Sequence, residues 1–168
     1  MNEAIRGLRA VRHFRADPVS IPVVERIVDT ARWTGSARNR QPWRFVAVTD
    51  PAAQGELSRL GGYAVHLAAA PLVLVLASQD NGFADTEFDM GRLTQSLCLA
   101  AAEQGLGSCP TTLHPTENVS RAAELLELAP GWLPRHAIAL GYPDPLPTGA
   151  PNAIPSGRLS VGELLTWK

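Results

Sequence analysis

Lysine is almost missing from this chain: Lys168 stands alone against fourteen arginines in 168 residues. Cysteine is nearly as scarce, and Cys98 and Cys109 are too few for a disulfide framework or a cysteine metal site. The four histidines, His13, His66, His114 and His136, fall at no metal-ligand spacing. There is no Lys/Arg run and no aromatic–basic platform motif, which argues against a nucleic-acid partner. The longest apolar run, residues 67–77, is interrupted by Pro71 and is too short to span a bilayer. No secretory h-region opens the chain, so the expectation is a cytoplasmic protein without a membrane partner. No internal repeat or low-complexity block divides it, which leaves one domain over residues 1–168.

What is present is a core-forming composition, 45% hydrophobic and 18% charged, in a chain long enough to bury a sizeable core. The net charge of -1 is unevenly spread. Residues 1–44 hold nine arginines against Glu3, Asp17, Glu25 and Asp29, leaving +5 there and -6 in the remainder. That imbalance points to an anionic ligand held by the N-terminal region.

Periodicity predicts interleaved helices and strands. A helical start over 3–8 gives way to an irregular segment. Ser20 then caps a helix whose stripe is Val23, Val24, Ile27, Val28 and Ala31, ending near Gly35. A strand follows over 43–48, then a helix from Pro51 through Leu60 and a short helical piece over 63–69. Residues 72–77 read as a strand buried on both faces. The longest helix covers 87–104 and stops at Gly105. Thr116 caps a helix to Leu128, residues 136–140 form a strand, and 159–165 close with a helical turn. The tail over 143–155 is proline-rich and extended. This pattern alone gives a mixed α and β protein.

The stretch Ser36-Ala37-Arg38-Asn39-Arg40-Gln41-Pro42-Trp43 joins helix to strand through a polar, basic corner. Gln41 precedes a proline and is expected to be extended, and Trp43 is expected in the core. An asparagine amide offers both a donor and an acceptor, as a uracil-like ring edge requires. Three further segments accompany the corner: Leu8-Arg9-Ala10-Val11-Arg12-His13-Phe14, Gly105-Leu106-Gly107-Ser108, and Gly141-Tyr142-Pro143 with Arg158-Leu159-Ser160. In order and spacing they run over nearly the whole chain, and together they resemble the FMN-dependent nitroreductase family.

That resemblance implies an α+β sandwich with a mostly antiparallel central sheet flanked by helices, working as an intertwined homodimer. It implies FMN at the subunit interface and a C-terminal tail, 143–168, that contacts the partner. The expected ligand set is Arg9, Arg12 and Arg158 for the phosphate, since a guanidinium binds phosphate oxygens bidentately. Asn39 is expected at the ring or ribityl chain, with Gln41 assisting or holding the corner. A backbone N–H from Thr112 or Leu113 is expected at the reactive ring nitrogen. Arg6 and Arg15 read as solvated surface residues, and both cysteines as free thiols without a role. The motif departs from the family where Leu8 and Ala10 replace a basic residue and a serine. The lysine often found before Arg158 is also absent, its place being Pro155-Ser156-Gly157. Arg38 or Arg40 could substitute.

The activity implied is hydride transfer from NADH or NADPH through FMN to a small-molecule acceptor such as a nitroaromatic or quinone. Catalytic side chains are not required, because the flavin carries the chemistry. A deazaflavin-linked or other specialised flavin enzyme is an alternative, as is a flavin-binding storage or regulatory protein with little turnover.

Overall fold

A computed structural model describes residues 2–145 and 157–168. Its centre is a four-stranded sheet in the order β1-β2-β4-β3, formed by Trp43–Val48, Leu72–Gln79, Trp132–Gly141 and Gly107–Thr112, numbered β1, β2, β4 and β3 in chain order. Every pairing is antiparallel. The helices are α1 (Asn2–Gly7), α2 (Ile21–Ala31), α3 (Pro51–Leu57), α4 (Asp85–Glu103), α5 (Thr116–Leu125) and α6 (Val161–Leu164).

Alternation along the central strands makes two cores. Leu72, Leu74, Leu76, Ile138 and Leu140 face one side and pack with Ile27 and Ala31 of α2 and Met90, Leu93 and Leu97 of α4. Val73, Val75, Ala137 and Ala139 face the other, meeting Leu57, Leu67, Val119 and Ala122. The expected sandwich of a mostly antiparallel sheet between helices is therefore the observed architecture. Trp43 is buried where the chain enters β1, as expected.

Several boundaries differ from the sequence reading. β3 lies between the helix stop at Gly105 and the Thr116 helix, where no strand was expected. Its Pro110 is compatible with the ladder: Leu113 donates its N–H to the Arg135 carbonyl (2.8 Å), so by alternation the backbone of Pro110 and Thr112 points away from β4. β4 begins at Trp132, four residues earlier than expected, and passes buried Pro134 through a bulge. Leu76 pairs with His136 and Ser78 with Leu133, so Pro134 and Arg135 together oppose Ala77. α3 ends at Leu57 rather than Leu60, α5 at Leu125 rather than Leu128, and residues Val65–Ala69 form a 3-10 turn. Ser20 stands at the N-cap of α2 without a side-chain cap bond; Thr116 is the first residue of α5, after Pro115. Gln41 is not extended: its φ is 50°.

Residues 8–15 run beside the far edge of the sheet. Ala10 bridges Ser108 of β3, and the Val11 N–H reaches the Ser108 carbonyl at 2.9 Å. Phe14 bridges Pro143, and Arg15 donates to the Tyr142 carbonyl at 2.9 Å. Gly107 permits this approach, because a Cβ there would stand 2.7 Å from that of Val11. Gly105, with φ +75°, makes the turn out of α4. The proline-rich segment over 146–156, with Pro155 and Ser156, lies outside the described residues. Among the described residues no helix is long and apolar enough to cross a membrane.

Candidate functional site

The corner between α2 and β1 is backbone under strain. Arg38, Asn39 and Gln41 have φ of 53°, 54° and 50°, in a region that side chains other than glycine enter at a cost; asparagine enters it most readily. Two carboxylates one turn apart on α4 hold it there. Asp89, 2% exposed, accepts the Ala37 N–H at 2.8 Å, and Asp85 pairs with Arg40. The Ser36 hydroxyl accepts the Gln41 N–H at 2.9 Å, and the Gln41 carbonyl accepts that of Trp43 at 2.8 Å. Gln41 thus holds the corner's backbone. Its Nε2 also donates to Asn39 Oδ1 at 3.1 Å, which leaves the Nδ2 donors of exposed Asn39 for a ligand. Arg40 is committed: besides Asp85 it lies over Phe83, 4.4 Å from the ring centre, and its buried Nε has no partner among the described residues. Arg38 is exposed.

The N-terminal arm carries the cations. Arg12 is exposed, and no hydrogen bond or ion pair engages it among the described residues. Buried His66 and Cys109 lie within reach of its charge. Burial pushes the His66 imidazole below its ordinary value, opposed by a hydrogen bond to the Cys109 carbonyl and reinforced by Arg12. Burial pushes both thiols up, so Cys98 and Cys109 remain buried thiols. Arg9 is folded back, donating to the Arg6 and Leu8 carbonyls at 2.6 and 2.8 Å. A cavity of about 270 Å³ opens between Leu8, Arg9, Val11, Gly107, Ser108 and Pro143. Arg158 is exposed and donates to the Gly157 carbonyl. Arg15 pairs with Asp17 at 3.1 Å on the surface, and Arg6 is exposed, the places expected of both.

At the end of β3 the two backbone candidates, Thr112 and Leu113, separate. The Leu113 N–H is taken by Arg135, and the side chain is buried. Thr112 is exposed, and ladder alternation turns its N–H outward. Its hydroxyl lies 3.3 Å from Nδ1 of His136, whose Nε2 is 2.9 Å from the Glu87 carboxylate. The Glu87 carboxylate also meets Arg135 and the Ser78 hydroxyl, each at 3.2 Å. Burial pushes the Glu87 carboxyl up, but His136, Arg135 and Ser78 outweigh it and hold the group below its ordinary value. Thr111, Thr112, His136, Glu87, Gln95 and Cys98 line a cavity of about 400 Å³.

Sequence reasoning passed over Asp85, Asp89, Glu87 and His136. The i,i+4 pair of aspartates at the start of a helix was a usable signal. Glu87 and His136 are 49 residues apart, and nothing local links them.

The parts suit a flat, anionic mononucleotide. Arg12 offers an unpaired guanidinium, Asn39 a free amide, and Thr112 an outward N–H at a sheet edge. One chain does not gather them at one point. The Asn39 corner leads into β1, and the Arg12 arm lies along β3, at opposite edges of the sheet.

The chain matches the model of the nitroreductase family over residues 5–64 and 56–142. It is 37% identical over 208 residues to NADH dehydrogenase of Thermus thermophilus, covering 95% of this chain and 92% of that one. Among solved structures, a nitroreductase family protein from Streptococcus pneumoniae TIGR4 superposes with a TM-score of 0.82 at 23% identity, covering 99% of each chain. An FMN-dependent nitroreductase from Clostridium difficile R20291 gives a TM-score of 0.81 at 22% identity, covering 91% of this chain and 92% of that one.

Proposed function

Because this chain belongs to the nitroreductase family, a family of oxidoreductases, we propose that it binds FMN and passes hydride equivalents from NADH or NADPH to a small electron-poor acceptor, a quinone or nitroaromatic. The observation that carries this reading is the Arg12 guanidinium, exposed and without a partner among the described residues, on an arm laid along β3, the strand whose Thr112 N–H points outward. Ser108, the contact point of the arm, precedes Thr112 by four residues, roughly 13 Å along a strand. The FMN dependence of the Clostridium difficile protein supports the choice of flavin.

In this reading Arg12 binds the phosphate, joined by Arg158 and by Arg9 once its guanidinium leaves the Arg6 and Leu8 carbonyls. Asn39 donates to the ring's polar edge or the ribityl chain, and Gln41 keeps it in place. The Thr112 N–H faces the reactive nitrogen, where a fixed donor favours developing charge. Leu113 packs behind it. Bound FMN would supply the two-electron chemistry.

We place the complete site in a homodimer, with the corner of one subunit meeting the arm of the other. Support comes from the exposed Trp33 and Phe88 and from a groove of about 810 Å³ lined by Ile5, Trp33 and Leu99. The tail supplies Leu159, Val161, Leu164, Leu165 and Trp167, all exposed on the single chain.

The test is the visible spectrum of the protein with FMN, followed by anaerobic NADH and NADPH. Bound flavin that bleaches with either nucleotide supports the reductase. Bound flavin that bleaches only with dithionite overturns NAD(P)H as donor and favours the second reading, a flavin-binding protein with little turnover. The observation behind that reading is Arg9, whose donors are spent on backbone carbonyls. No flavin binding overturns both.

A further inference from the structure

Thr112, His136 and Glu87 come from three different elements, β3, β4 and α4, and form one continuous chain of hydrogen-bonding groups. Its polarity is fixed by the carboxylate. Glu87 only accepts, so His136 Nε2 carries a hydrogen and donates to it. In the neutral imidazole, Nδ1 is then an acceptor and takes the Thr112 hydroxyl hydrogen. In the imidazolium, Nδ1 donates to the same oxygen. The threonine hydroxyl, at the wall of the 400 Å³ cavity, can therefore receive a proton on one side and release one on the other.

The surroundings are built for this. The bulge at Pro134 and Arg135 turns Arg135 toward Ser78 and Glu87 while His136 stays opposite Leu76. Bulges that re-aim side chains are common beside reactive sites. The charged and titratable groups facing the imidazole are Glu87 and Cys98 of α4, Arg135 of β4, and Asp80, which lies 3.9 Å from Arg135. Glu87 is the one in direct contact.

We propose that Thr112 is the proton donor to the reduced acceptor, with His136 and Glu87 as the relay that recharges it. This rests on the reductase reading. A quinone that gains a hydride from the reduced cofactor holds a new oxyanion and needs one proton. The Thr112 O–H bond breaks as that oxyanion takes its hydrogen, and the hydroxyl regains one from Nδ1 of the His136 imidazolium. His136 is left neutral, still donating Nε2–H to Glu87. Once product has left, water entering the cavity returns a proton to His136 through Thr112. One hydride and one proton enter the acceptor, and the protein ends as it began.

The test exploits a separation of roles: Thr112→Val removes the hydroxyl but keeps the backbone N–H. Anaerobically reduced protein is mixed with a benzoquinone across a pH series. At every pH Thr112→Val should be slower than wild type on the order of a hundredfold, and Thr112→Ser should restore the rate. Glu87→Gln, which removes the carboxylate that accepts the His136 Nε2–H, should slow the same step with Thr112 intact. On flavin-free protein, NMR of the His136 ring should show its Nε2–H donated to a carboxylate, and Glu87→Gln should change that signal. A rate unaltered by Glu87→Gln, or wild-type rates in Thr112→Val, overturns the relay and leaves the reductase reading intact. Failure of the wild type to bind flavin overturns both.

Discussion

Ala37 gives its N–H to Asp89, and Arg40 pairs with Asp85, so one face of α4 holds the three left-handed residues around Asn39. Asp89→Ala leaves the Ala37 N–H without its acceptor and is expected to cost about 1–3 kcal/mol in urea unfolding. Asp89→Asn, which keeps an oxygen at that place, should cost less. Among the described residues Arg12 has no partner, whereas Arg15 is paired with Asp17. Arg12→Ala should weaken FMN binding by about 1.5–3 kcal/mol, read by quenching of flavin fluorescence, with Arg15→Ala near wild type. The identity of these arginines and of Asn39 was legible in the sequence. Their conformation was not: a residue before proline is normally extended, whereas the left-handed Gln41 has its own N–H held by Ser36, and the α4 carboxylates hold Ala37 and Arg40 beside it.

β1 and β2 could be read from their apolar runs, since nearly every residue of β2 meets one of two cores. β3 could not, because Pro110 and two threonines resemble a loop until β4 lies beside them. β4 was found only past its bulge, where the apolar pattern resumes. Gly107 is where β3 meets the N-terminal arm, and Gly107→Ala drives a Cβ into Val11. That change should lower thermal stability and FMN affinity together, whereas Gly91→Ala, with nothing within 4 Å, should do neither through crowding. Acid should weaken the fold in two stages. His66 is held below 6.5, so as pH falls the unfolded chain takes its proton first. The stability this supplies is complete above about 6.5 and is lost as pH falls through the folded value. Glu87, held below 4.5, acts in the same sense further down. Urea midpoints across this range should show both losses, and His66→Gln should remove the first.

At the scale of the molecule, the sheet is closed on both faces, yet α6 and the residues around it expose a row of apolar side chains. Deleting 157–168 is expected to shift the protein toward monomer in sedimentation and to lower flavin retention with it. The charge asymmetry seen in the sequence also has a place in the fold: four of its arginines, Arg6, Arg9, Arg12 and Arg15, lie on α1 and the following arm. The order β1-β2-β4-β3, with the arm outside β3, puts the Asn39 corner and the Arg12 arm about four strand spacings apart, roughly 19 Å. If each site borrows one of them from a neighbouring copy, lesions at the two places are genetically separable. Two inactive alleles, one encoding Asn39→Ala and the other Arg12→Ala, would then rescue each other in a cell that expresses both. In every mixed pair one site would carry both lesions and the other neither.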